Sequence, residues 1–216
     1  MRPGVPVWPP ERLAGLEALR LRPRRPLKPD LSMLRIEGVP HALKDMRPLP
    51  WLLRVTLGRL QLRMEAATYL RLEGVPGVPR LRARVGRDAL LLSFVAGQPL
   101  RKEAAPLLAA DFFDRLEALI RAMHERGVVH LDLGQRKNLL VAADGSPVIL
   151  DFGSALGGLL PKPLGRILVR LLGWIDRRGL LMQRLRYGDG LPGEAERAAL
   201  RRANRLRALW PVNRPS

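Results

Sequence analysis

Three side chains in the segment HLDLGQRKNLLVAADGSPVILDFG, residues 130–153, have the types and spacing for metal-assisted group transfer: Asp132, Asn138 six residues later, and Asp151 thirteen beyond that. The carboxylate of Asp151 and the carboxamide oxygen of Asn138 suit a hard cation such as Mg²⁺. That ion takes few protein oxygens and leaves its other positions to phosphates and water. A second carboxylate within reach, Asp132, can accept the proton of a substrate hydroxyl. The same stretch contains the element that must position them. Leu139, Leu140 and Val141 form one apolar run, residues 142–147 carry an Asp144-Gly145 turn signal, and Val148, Ile149 and Leu150 form a second run. This predicts a β-hairpin. Its antiparallel strands bring Asn138, just before the first, beside Asp151, just after the second.

These residues resemble the protein-kinase superfamily. His130-Leu131-Asp132 with Asn138 is similar to its catalytic loop, and Asp151-Phe152-Gly153 to its metal-binding element. The resemblance implies that Asp132 is the catalytic base, that Asn138 and Asp151 hold Mg²⁺, or Mn²⁺ in its place, on ATP, and that His130 and Gly153 support the backbone. Upstream, PHALKDM puts Lys44 at the end of a strand-like stretch. MEAATYLRLEG, from Met64, is a helical pattern with Glu65 near its start. By resemblance Lys44 contacts the α and β phosphates as a compact charge, and a buried Glu65 holds it in place. Glu73, two turns on, is the rival for the Glu65 position.

The order of elements extends the likeness. ALLLSF, residues 89–94, reads as a buried strand and Val95-Ala96-Gly97 as the break after it, similar to the kinase hinge that binds adenine. Leu92, Phe94 and Val95 would then border the nucleotide. DFFDRLEALIRAMHERG, from Asp111, carries apolar residues at 112, 116, 119, 120 and 123, a helical stripe that runs into the catalytic loop. His124 at its end is expected to pack or cap.

Three departures narrow the likeness. No GxGxxG precedes Lys44; the stretch from Leu27 offers only Gly38, which reads as a turn between strands, so the phosphate-covering loop must be short or unusual, with Lys28 to Ser32 as the candidate. Gly134 stands two residues after Asp132, where typical protein kinases have a lysine, and Arg136 or Lys137 would have to supply that charge. No APE-like element follows Asp151, and the remaining 65 residues are too few for the full set of peptide-gripping helices. The segment from 27 to 160 therefore resembles the compact atypical kinases, the RIO-type family and the bacterial lipopolysaccharide-core (Kdo) sugar kinases.

Composition fits this reading. A chain of 216 residues can bury a real core. With no cysteine, disulfides and thiolate metal sites are excluded. MRPGVPVWPPERL lacks the apolar core of a signal peptide, and no stretch of about twenty residues is free of charge, so no spanning helix is expected. The net charge of +18, with 33 arginines among 38 cations, exceeds what an ATP site needs. Much of it lies near the C-terminus. LGRILVRLLGWIDRR places Leu164, Ile167, Leu168, Leu171, Leu172 and Ile175 on one face and Arg166, Arg170 and Arg177 away from it, and EAERAALRRANRLRALW repeats the theme from Glu194. The apolar face is expected to pack on its own lobe; such helices also suit an anionic membrane surface. The ten aromatic residues form no aromatic-basic platform, so direct nucleic-acid recognition is not expected.

The sequence thus predicts an α+β, bilobal protein-kinase-like fold with a truncated, helical C-lobe. A Pro-rich arm and a short helix at 11–20 occupy residues 1–26, the N-lobe 27–95, and the C-lobe 96–216. The expected activity is ATP- and Mg²⁺-dependent phosphotransfer to a protein or membrane-linked sugar hydroxyl, in the cytoplasm or at the inner face of the membrane. The alternative is a nucleotide-binding pseudokinase scaffold.

Overall fold

The computed structural model describes residues 5–188 and 193–208. Strands β1 (Val7–Trp8), β2 (Ala18–Arg20), β3 (Asp30–Ile36), β4 (Val39–Asp45), β5 (Leu81–Val85) and β6 (Ala89–Ser93) form a sheet of order β1-β5-β6-β4-β3-β2. Glu37 and Gly38 close the β3–β4 hairpin with φ of 50° and 79°, the pair of left-handed conformations that matches strand twist. Gly38 is a turn, as its sequence context indicates.

The expected helix at 11–20 is not formed. Pro10–Leu13 makes a single 3₁₀ turn, Gly15 takes φ 79°, and Ala18–Arg20 pairs antiparallel with β3. A left-handed glycine in mid-segment interrupts the helix, and β3 offers the following residues a ladder of backbone bonds. Trp8 and Leu13 pack on the cluster of Leu34, Leu43, Ala83, Val85 and Leu91, so this segment covers one face of the sheet.

Between β4 and β5 runs a helical stretch of α1 (Trp51–Leu53), a π turn (Arg54–Gly58) and α2 (Arg59–Arg71). It begins well before the expected start at Met64, because Pro50 at the N-cap fixes the entry and the π turn carries the chain on into α2. Glu65 consequently sits mid-helix, on the face that buries Leu62, Ala66, Thr68 and Tyr69.

A second sheet, of order β7-β8-β9, combines β7 (Gly97–Pro99), β8 (Leu139–Ala142) and β9 (Pro147–Ile149), with α3 (Phe112–Glu125) leading into it. The stripe of α3 is buried as its period requires: Phe112, Leu116, Leu119, Ile120 and Met123 join Leu139, Ile149, Phe152 and Leu180 in the main core. The predicted hairpin forms, with Leu139 opposite Ile149 and a turn at Gly145. Its register differs by one from the expectation. Leu150 donates its N–H to Asn138 O at 2.8 Å, so Asp151 lies one residue past the partner of Asn138 and steps out with φ 59°.

The long helix α4 (Lys162–Tyr187) corrects the sequence most. Its buried face is Gly165, Gly173, Asp176, Gly179, Leu180, Gln183 and Tyr187, whereas Leu164, Ile167 and Leu171 are 50, 51 and 65% exposed. Leu168, Leu172 and Ile175 are half-buried. Close backbone approach decides the orientation. A Cβ on Gly165 would meet Gly127 O at 2.8 Å, and one on Gly179 would meet Leu133 Cβ at 2.8 Å. Only the glycine face can come this near the end of α3 and residues 133–134. Helix α5 (Glu194–Ala208) packs on α4, with Arg178 Nε donating to Asn204 Oδ1 at 2.7 Å. Leu209 and Trp210, included in the expected second helix, lie outside the described residues.

Candidate active site

Strand alternation places Lys44 and Ala42 on one face of β4, opposite Leu90 and Leu92 of β6. From there Lys44 Nζ reaches Glu65 Oε1 at 2.9 Å and Oε2 at 2.7 Å on α2, and Asp151 Oδ1 at 2.8 Å. Residues 21 and 107 positions apart thus meet at one ammonium. Burial alone pulls the Lys44 ammonium down, but the charges of Glu65 and Asp151 outweigh it and its pKa stands above the ordinary value. Burial pushes the Glu65 carboxyl up, with Lys44 opposing only in part. The Lys44 charge holds the Asp151 carboxyl well below the usual carboxylate range, against the burial that opposes it. Glu73, the rival of Glu65, is exposed in the turn after α2 and takes no part.

Gly153 makes the meeting sterically possible. A Cβ there would lie 2.6 Å from Gln61 Nε2, 3.1 Å from Asp151 Oδ1 and 3.3 Å from Lys44 Nζ. Phe152 turns inward, edge-on to Tyr69 of α2 and to His130, with ring centroids 5.1 and 5.0 Å apart. His130 is fully buried: its Nε2–H donates to Leu150 O at 3.0 Å and its Nδ1 accepts from Asp132 N at 3.3 Å. The ring therefore ties the segment before Asp132 to the strand end before Asp151.

Asp132 is half-buried. Its Oδ2 accepts from Asn138 Nδ2 at 2.9 Å and its Oδ1 from Gln135 Nε2 at 2.8 Å. Asn138 spends both amide hydrogens on Asp132, the other on its backbone O at 3.0 Å, which leaves Asn138 Oδ1 buried without a partner. A buried acceptor without a donor is costly unless something fills it. Asn138 Oδ1 and the Asp151 carboxylate are two hard oxygens of the kind Mg²⁺ accepts beside phosphate and water, and the residues present fit that ion. Arg136 and Lys137 are exposed on the 3₁₀ turn Arg136–Asn138, and the space where a Gly134 side chain would start is open.

Sequence reasoning missed the residues that hold this loop from below. Asp176 of α4, fully buried, accepts from His130 N at 2.9 Å, Leu131 N at 2.8 Å and the His124 ring at 2.9 Å. Gln183 Nε2 donates to Leu133 O and Gly134 O at 3.1 and 2.9 Å. The available signal was a lone acid and three glycines within an otherwise apolar and basic helix.

The connection between β2 and β3 is residues 21–29. It leaves the sheet at the Lys44 end, where Leu31 pairs with Lys44. The candidate span Lys28 to Ser32 is only partly loop, since Asp30, Leu31 and Ser32 belong to β3. The connection contains no glycine; Arg22 donates to Pro29 O at 2.8 Å, and Arg20 and Arg24 approach Asp30 at 3.8 and 3.5 Å. Leu92 is buried beside Ala42. Phe94 and Val95 are half-buried in the link between the sheets, and Val95 lines a cavity of about 420 Å³ with Gly77, Val78, Asp144 and Val148, apart from Lys44 and Asp151.

No protein-family model matches the sequence, and no curated protein matches it. Among solved structures, the chain is similar to the crystal structure of the BubR1 kinase domain, at 13% identity and a TM-score of 0.51, over 88% of this chain and 73% of that one. At that identity the likeness is one of fold, and the chain has a mixed α/β, protein-kinase-like fold.

Proposed function

We propose that the protein is an ATP- and Mg²⁺-dependent phosphotransferase acting on a hydroxyl acceptor. The observation that carries this reading is Lys44 Nζ, shared by Glu65 and Asp151. Glu65 holds the ammonium where phosphate oxygens can take it up, and the side chains of Arg25 and Lys28 at the same end of the sheet add charge in place of glycine amides. Asn138 and Asp151 would hold Mg²⁺, whose contribution when bound is to neutralise phosphate charge. Asp132, oriented by Asn138 and Gln135, accepts the proton of the acceptor hydroxyl.

Residues 152–161 are all that lies between Asp151 and α4, which leaves little chain for a peptide platform. This favours a sugar or lipid-linked hydroxyl over a protein side chain, in the manner of the compact RIO-like or lipopolysaccharide-core kinases, on the cytoplasmic side where ATP is supplied. A second reading, a nucleotide-binding pseudokinase scaffold, draws on the connection 21–29, which lacks glycine and holds Pro23, Pro26 and Pro29.

Nucleotide-dependent thermal stabilisation tests the assignment. A ligand that binds only the folded state at a hundred times its Kd adds about 2.7 kcal/mol. Lys44→Met is expected to shrink that shift for MgATP, because a phosphate contact is lost. A full shift in Lys44→Met would assign the phosphates to other groups.

A further inference from the structure

The surface of α4 is inverted relative to an ordinary amphipathic helix. Its glycine, Asp176 and Gln183 face is buried, and Leu164, Ile167 and Leu171, spaced three and four apart, form an aliphatic stripe open to solvent. Leu159, just before the helix, is also 59% exposed. Arg166 and Arg170 are exposed and lie roughly 130° and 90° around the axis from the centre of the stripe. Lys162 adds a third cation. From Phe152 to Ile175 the chain has no acidic residue, and the next acid, Asp176, is buried beneath the helix.

We infer that this face of α4 docks on an anionic lipid bilayer, with Leu164, Ile167 and Leu171 entering the interface and Arg166 and Arg170 meeting the headgroups. Three large aliphatics in a row on a convex helix are costly in water and suit a fluid apolar phase. The flanking charge selects the partner. A second copy seated on the same stripe would bring Arg166 and Arg170 against their own kind with no carboxylate to answer them, whereas an anionic headgroup layer complements them. Helix α5 meets α4 further along, at Arg178, and leaves the stripe exposed among the described residues. The inference does not depend on the phosphotransferase reading, since it concerns surface chemistry alone.

The test is co-sedimentation of the full chain with phosphatidylcholine vesicles, with and without phosphatidylglycerol, across a range of salt. Binding is expected only with the anionic lipid and is expected to weaken as salt screens the arginines. Arg166→Gln with Arg170→Gln should lower affinity about thirtyfold, at the usual worth of a cation near such a surface. Leu164→Ser, Ile167→Ser and Leu171→Ser together should abolish binding and leave the melting temperature and the sedimentation coefficient unchanged. No binding by the wild type, binding that ignores salt, or binding kept by the triple serine variant would overturn the inference. So would a triple variant that melts earlier, which would mean that the stripe is covered within the folded chain. A dimer dispersed by the same changes would assign it to a second copy, and equal binding of an acidic protein in place of vesicles would assign it to a protein partner.

Discussion

Replacing Asp132 by Asn is expected to lower phosphotransfer turnover by about 10²- to 10⁴-fold while nucleotide affinity stays near that of the wild type. The amide oxygen can still accept from Asn138 Nδ2, and the exposed Gln135 can turn its own oxygen to the new amide nitrogen, so the loop keeps its shape and loses the carboxylate. Asp151→Asn fails differently. It removes the charge opposite Lys44 and leaves one neutral amide oxygen to serve both Lys44 and the cation, so MgATP affinity and turnover should fall together. Isothermal titration and single-turnover kinetics on both variants separate the two losses. Equal turnover in the wild type and both variants would contradict the assignment of either residue.

The second large effect is on stability and comes from a residue remote from any substrate. Asp176→Ala strips one buried acceptor from two backbone amides and from His124 at once. Loss of one side of a buried charged network costs about 3–5 kcal/mol, and the denaturant midpoint should fall accordingly. Asp176→Asn retains one acceptor oxygen and should fall between the two. A change in Asp176→Ala within about 0.5 kcal/mol, typical of a surface substitution, would show that the amides of His130 and Leu131 need no such anchor.

The candidate site was legible where it is built from local spacing. The Asp144-Gly145 turn between two apolar runs determines the hairpin, and through it the nearness of Asn138 and Asp151. Lys44 and Glu65 could be read because a single lysine ends a strand and a glutamate lies on the inner face of a helix. What sequence could not show depended on which of two faces wins. In α4 the leucine stripe has the obvious period, yet Gly165, Gly173 and Gly179 permit a closer approach than any leucine could, and the polar pair Asp176 and Gln183 answers backbone groups that would otherwise be buried bare. At the N-terminus, the apolar spacing of Leu13, Leu16 and Leu19 suits a helix, but Gly15 and the free edge of β3 turn it into a strand. The one-residue register offset at Asp151 is set at the other end of the hairpin, where Ala142 pairs with Ser146 around the turn at Gly145.

The most direct test of the phosphotransferase reading is ATP turnover by the wild-type chain with membrane extract as acceptor, with Mg²⁺ and with EDTA. Label transfer from the terminal phosphate is expected to require Mg²⁺ and to disappear in Asp132→Asn. Nucleotide binding with no turnover, in membrane extract and in protein fractions alike, would contradict it and leave the scaffold reading.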